Sequence, residues 1–200
     1  MSAEKKLKTW FDKYKDSGVA GDEEMITPEG YQKLCESLGY DMEGIEALVL
    51  MWKLGSKNLG TITYQNWESG LKEMDVSTPT ALKRAIGSEL AGFSRDPRTY
   101  KAFYRSTFNF LKSESQRTAD VEFVKAVLPV VMRDNRMVSS FIEFLDENGE
   151  TIKSITRDQW QLLPDLAAFL QGPGDLASYN TDDSWPKLYD DFVVWMRSRS

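Results

Sequence analysis

Apolar residues recur along this chain with a period near 3.6, a pattern that predicts helices almost from end to end. In "KKLKTWFDKYK", Leu7, Trp10, Phe11 and Tyr14 fall at i, i+3, i+4 and i+7 and make one amphipathic stripe. "TPEGYQKLCESL" predicts a helix with Thr27 as N-cap and Pro28 in the first turn, where the missing N–H is no loss. Residues 42–54, "MEGIEALVLMWKL", are apolar around most of the circumference and predict a deeply buried helix. A fourth helix lies within "YQNWESGLKEM", and residues 78–93 open on another Thr-Pro start. The most regular stripe is Tyr100, Phe103, Tyr104, Thr107, Phe108 and Leu111, with Phe110 at its edge.

Residues 120–132 and 137–148 predict two further helices, with Pro129 expected to interrupt or bend the first. Thr156 followed three residues later by Gln159 is a capping-box pattern, and Pro164 should kink or restart the helix it opens. Gly172, Pro173 and Gly174 mark a break before "DDSWPKLYDDFVVWMRSRS". There Trp185, Leu188, Tyr189, Phe192 and Met196 make the buried stripe, and Asp190 and Asp191 lie off it, facing outward. Extended segments are expected only around Ile26 and Ile62. The fold class is all-α, a single compact helical domain.

Composition narrows what such a domain can do. Two hundred residues, 41% hydrophobic and 12% aromatic, suffice for a full-sized core. With no apolar run near eighteen residues and no signal-peptide pattern, the expected location is intracellular. A net charge of −6 disfavours nucleic acid and anionic membranes as partners and favours a basic protein surface. The chain has no histidine and one cysteine, which removes Ser-His-Asp and Cys-His catalysis, His-ligated metals, RING-type zinc and intrachain disulfides. Cys35, in register with Tyr31, Leu34 and Leu38, reads as a small buried apolar residue.

The first four helices form two helix–loop–helix pairs whose loops are EF-hand-like. Gly60 and Ile62 stand where an EF-hand has its turn glycine and buried aliphatic. Calcium needs oxygen ligands at loop positions 1, 3, 5 and 12. Here those positions hold Gly55, Lys57, Leu59 and Asn66 in one loop and Val19, Gly21, Glu23 and Gly30 in the other. The carboxylates are missing, so no metal and no other cofactor is expected.

Five fragments in order, "YKD", "MWK", "FYRSTFNF", "RDQW" and "SWPKLYDDFV", span nearly the whole chain. Together they resemble the potentiating-neddylation domain of the defective-in-cullin-neddylation proteins. The resemblance implies one such domain over 1–200, with an EF-hand-like part at 1–76 and a cullin-binding part at 78–200. The upstream ubiquitin-binding module that some members carry is not expected within these residues. It implies a scaffold-type ligase without catalytic residues, active in cytoplasm and nucleus. Such a protein holds the cullin C-terminal winged-helix domain and the N-acetylated neddylation conjugating enzyme together, so that modifier transfer is oriented.

By the same resemblance the cullin contacts are Asp158, Ser184 and Asp190. Between residues 146 and 191 ten acidic residues face three basic ones, which suits a basic partner. A second reading of Asp158 is helix-dipole stabilisation in a first turn, and Asp182 and Asp183 read equally as helix caps. Asp190, a turn into its helix, is beyond reach of capping. The resemblance also implies a pocket for the acetylated methionine of the conjugating enzyme, lined by Tyr31, Ala47, Leu50, Met51, Leu54, Ile62, Phe110 and Val130. An acetylated terminus is neutral and avoids the desolvation penalty of an ammonium. The same eight apolar residues also fit ordinary core packing. From a different class, the chain reads as a calcium-independent EF-hand-like module that binds peptides in a groove.

Overall fold

The period-3.6 segments are helices, and the short extended spots become strands that tie helix starts together. The computed structural model describes residues 3–16, 24–133, 135–170 and 173–199. They divide into two compact units, Met1–Glu114 and Ser115–Ser200. Val19, Gly21, Glu23 and Gly172, used in the reading above, lie outside the described residues.

The first unit contains α1 (Ala3–Phe11), β1 (Met25–Ile26), α2 (Pro28–Leu38), α3 (Ile45–Lys53), β2 (Ile62–Thr63), α4 (Tyr64–Glu73), α5 (Pro79–Gly92) and α6 (Pro97–Thr107). Strands β1 and β2 pair antiparallel with Ile26 opposite Ile62, each one residue or two before a helix. Gly60, at φ 68°, makes the left-handed turn that feeds β2, a conformation glycine adopts without steric penalty. The apolar helix α3 is central: it packs against α5 and α6, while α1 packs against α4. Residues 78–114, grouped above with the C-terminal part, therefore belong to this unit. After Thr107 the chain tightens into a 3-10 turn over Phe108–Leu111. That tightening buries Phe110, which the α-helical pattern had left at the edge of its stripe.

One local expectation is refined here and one is corrected. Thr27 is the N-cap of α2, but its hydroxyl donates to the Asp16 carboxylate and accepts no backbone N–H. The helix expected from residue 42 begins at Ile45, because Gly44 keeps an extended conformation as its N-cap.

The second unit contains β3 (Thr118–Asp120), α7 (Val121–Val131), α8 (Arg136–Glu147), β4 (Ser154–Thr156), α9 (Arg157–Phe169), α10 (Pro173–Ser178) and α11 (Lys187–Arg197). Strands β3 and β4 were not foreseen; three residues each are too few to show a period-2 pattern. They pair with Ala119 opposite Ile155, and each runs directly into the helix that follows. Helix α7 passes Pro129 by only two residues, so the proline sits at its end. Helix α9, in contrast, continues through Pro164 to Phe169 and is not restarted there. Helix α8 packs on α7 and α11, and its Phe141 and Phe144 meet Phe192 of α11 edge-on or tilted at 5.1 and 5.4 Å.

Candidate functional site

The acidic candidates gather in the second unit, around the starts of α9 and α11. Thr156 caps α9: the Gln159 N–H donates to its hydroxyl at 3.2 Å, and the Thr156 N–H donates to the Gln159 side-chain carbonyl at 2.8 Å. This reciprocal pair satisfies two donors that the helix cannot, and it fixes the first turn. Ile155 and Trp160, both buried, anchor that turn from either side. Asp158 between them is exposed, in a first turn where the helix dipole favours a carboxylate.

Helix α11 begins at Lys187, so Asp190 is its fourth residue, at the end of the first turn, and it caps no backbone N–H. The N-cap is Pro186 with no side-chain bond, which removes Asp182 and Asp183 as caps. Instead, the Asp182 N–H donates to the Asn180 side chain at 3.1 Å and the Asp183 N–H to the Asn180 carbonyl at 3.2 Å. The resulting turn presents Asp182, Asp183 and Ser184 to solvent. The buried face of α11 is Leu188, Tyr189, Phe192 and Val193; Trp185 and Met196, placed in that stripe by pattern, are half-buried. Asp191 is exposed and pairs with Lys187 at 2.8 Å.

One tyrosine joins these helix starts and a second holds Asp190. The buried Tyr189 hydroxyl donates to the Gln159 carbonyl, linking the first turn of α11 to that of α9. Burial above all, then the Asp158 carboxylate, Tyr179 and Asp165, hold its phenol well above the ordinary range. Tyr179, also buried, donates its hydroxyl to Asp190 Oδ1 at 2.8 Å. Burial, then that bond and the Asp190 and Asp183 charges, raise its phenol, with Arg197 opposing. Asp190 is accordingly half-buried and held, where the sequence suggested an outward-facing group.

An aromatic set completes the surface. Tyr179 and Trp185 stack at 6.2 Å, Phe169 meets Tyr179 edge-on at 6.0 Å, and Trp185 meets Tyr189 edge-on at 6.3 Å. Phe169 is 36% exposed and Trp185 half-buried, so apolar area stands beside the carboxylates. Chemically the arrangement offers fixed negative charge and flat rings, suited to a cationic side chain with an apolar stem. The structure thus brings Asp158 and Asp190 to one neighbourhood, and Ser184 lies on the adjoining turn. Sequence reasoning missed Tyr179, Phe169 and Arg197. Their only sequence signal is aromatic density near the chain's end, because each acts across a loop rather than along a helix.

Of the eight pocket candidates, Tyr31, Ala47, Leu50, Met51, Leu54, Ile62 and Phe110 lie in the first unit, and none is more than 4% exposed. The Tyr31 hydroxyl donates to the Ala47 carbonyl at 2.5 Å, and Met51 Sδ accepts the Gly60 N–H at 3.1 Å. Val130 lies in the second unit, half-buried on α7. Beside the turn before β2, a cavity of about 570 Å³ is lined by Lys57, Asn58, Thr63, Asn66 and Glu114, among others. Among the described residues no three His, Cys, Asp or Glu side chains converge to hold a metal ion. No described helix is long and apolar enough to cross a membrane.

A family model described as cullin binding matches residues 81–195. The chain is similar to DCN1-like protein 4 of Homo sapiens, 31% identical over 196 residues, covering 98% of this chain and 64% of that protein. It is 30% identical to DCN1-like protein 4 of Drosophila melanogaster, over 98% of this chain and 76% of the relative. The same 30% holds against DCN1-like protein 5 of Homo sapiens, over 98% and 78%. The chain therefore spans about two thirds to four fifths of the length of these relatives.

Proposed function

We propose, since the chain belongs to the cullin-binding family of DCN1-like proteins, that it is a scaffold-type co-ligase for cullin neddylation. It binds a cullin C-terminal winged-helix domain through Asp158, Ser184 and Asp190. It binds the N-acetylated neddylation conjugating enzyme through the apolar first-unit set of Tyr31, Ala47, Leu50, Met51, Leu54, Ile62 and Phe110. Its own residues do no covalent chemistry. There is no histidine in the chain, and burial pushes the Cys35 thiol up to about 11, far from a reactive thiolate at neutral pH. Acceleration comes from holding two partners in a productive orientation.

The observation that carries this reading is that Asp158, on a capped first turn, and Asp190, held by Tyr179, stand on the first turns of two helices that the Tyr189–Gln159 hydrogen bond ties together. Fixed carboxylates steer a basic partner and set its register, while Phe169 and Trp185 add apolar contact. The apolar set is closed, so an incoming methionine must displace side chains there; the unbranched thioether of Met51 adapts most readily.

The test is a titration of the chain against a cullin winged-helix fragment at two salt concentrations. Asp158→Ala/Asp190→Ala should weaken binding by about tenfold or more and flatten its salt dependence. Equal binding by wild type and variant, or none by the folded wild type, removes the cullin reading. A peptide with the conjugating enzyme's N-terminus, acetylated or free, tests the second partner. Equal affinity for the two forms refutes the acetyl-methionine pocket.

A further inference from the structure

We propose that Tyr179 is the positioning residue of the acidic surface: its hydroxyl sets the Asp190 carboxylate to meet a partner's cation, and Arg197 keeps Tyr179 in place. This rests on the cullin-docking reading and names the residues that preorganise it.

Asp190 and Arg197 are seven residues apart on α11, about two turns along one face and about 10 Å in rise. Tyr179 lies along that face. Its hydroxyl donates to Asp190 Oδ1 at 2.8 Å, and its backbone carbonyl accepts from Arg197 Nη2 at 2.7 Å. Arg197 also donates from Nε and Nη2 to the Leu176 carbonyl at 3.1 and 2.8 Å, which fixes the chain leading into Tyr179. A guanidinium can bind several carbonyls at once because its donors form a rigid fork.

Tyr179 is only 3% exposed, so it acts on a partner through Asp190 and not by touching it. The cation next to Asp190 on the helix, Lys187, is engaged by Asp191. Among the described residues no basic side chain forms an ion pair with Asp190. Its carboxylate is thus oriented by a neutral hydroxyl donor and not by a salt bridge. A side chain already held in place loses less freedom on binding, and preorganisation of this kind appears as affinity.

Tyr179→Phe isolates the hydroxyl, because the ring and its stacking on Trp185 are kept. Titrations of wild type, Tyr179→Phe, Asp190→Ala and the double variant against the cullin fragment form a closed cycle. Tyr179→Phe should weaken binding about 3- to 10-fold in the wild-type background and less than about 2-fold beside Asp190→Ala. The same loss in both backgrounds, or none in either, overturns the proposal. Arg197→Ala should show the same dependence on Asp190.

If Asp190→Ala binds like wild type, the docking reading fails, and the positioning claim is decided without a partner. Tyrosine labelled at the ζ carbon then reports whether the Tyr179 hydroxyl proton is protected from exchange. Protection in wild type that is lost in Asp190→Ala supports the contact. A freely exchanging hydroxyl in wild type refutes it.

Discussion

Tyr189→Phe deletes one hydroxyl, which in the folded protein is buried and donates to the Gln159 carbonyl. A bond of this kind contributes about 0.5–1.5 kcal/mol net. Near pH 7 the variant should therefore lose about 1 kcal/mol, or about 2–4 °C in Tm for a chain of this size. Alkaline pH reverses the comparison. Burial, with Asp158, Tyr179 and Asp165 nearby, holds the Tyr189 phenol well above its ordinary value of 10.0. A group raised on folding contributes its stability fully below its unfolded pKa and loses it as pH climbs toward the folded value. Each pH unit above about 10 thus takes about 1.4 kcal/mol from the wild type at this position and nothing from the variant. The wild-type advantage is gone by about pH 11, and beyond that the variant is the more stable protein. Tyr31 and Tyr100, also raised by burial, are common to both chains and drop out of the difference. Urea unfolding at pH 7, 10 and 11, followed by circular dichroism, gives the three values needed. No wild-type advantage at pH 7, or one that stays constant to pH 11, would refute the buried phenol bond.

Two glycines should respond in opposite directions to alanine. A Cβ on Gly70 would stand 2.7 Å from the Lys53 carbonyl oxygen and 2.8 Å from Leu54 Cα, so α4 must move off α3, at about 1–3 kcal/mol. On Gly87, in α5, a Cβ meets nothing within 4 Å, and the gain in helix propensity should stabilise by about 0.5–1 kcal/mol; denaturant midpoints with equal signs would contradict both. Cys35 is fully buried with its thiol pushed up to about 11, so a thiol reagent at pH 8 should modify it only as fast as the fold opens. Rapid labelling of the native protein would contradict that burial.

The helices were legible because a buried face repeats every 3.6 residues, and that signal is local. The Thr156–Gln159 capping box was legible for the same reason, and both of its bonds are present. Thr27 shows the limit: the residue type was right for a cap, but Asp16, eleven residues earlier, competes for its hydroxyl. Strands β3 and β4 were invisible because three residues each are too few to show a period-2 alternation. Burial of Tyr31, Ala47, Leu50 and Met51 was readable from pattern, whereas a pocket is the absence of atoms and leaves no mark on an apolar stripe. At the acidic surface the carboxylates could be named in advance. Their support could not, since Tyr179 reaches Asp190 across a turn and Arg197 reaches back to three backbone carbonyls.

The distribution of partners around this surface separates what stabilises the fold from what is left for binding. Asp158 and Asp190 stand in first helical turns, where unpaired N–H groups and aligned peptide dipoles favour an anion by about 0.3–1 kcal/mol each. That contribution makes the charges tolerable in the free protein. It does not extend to Asp182 and Asp183, which cap no helix. Nearby cations are engaged elsewhere: Lys187 pairs with Asp191, and Arg197 is spent on backbone carbonyls. Among the described residues neither Asp158 nor Asp190 forms an ion pair, so an external cation meets carboxylates that need not first release a partner. Accessible charges that are free of salt bridges act mainly on the association rate and its salt dependence. In the cullin complex proposed above, dissociation would then rest on the rings of Phe169 and Trp185, whose apolar contact salt does not screen. In that proposed complex, charge and aromatic contact would divide the work between finding the partner and keeping it.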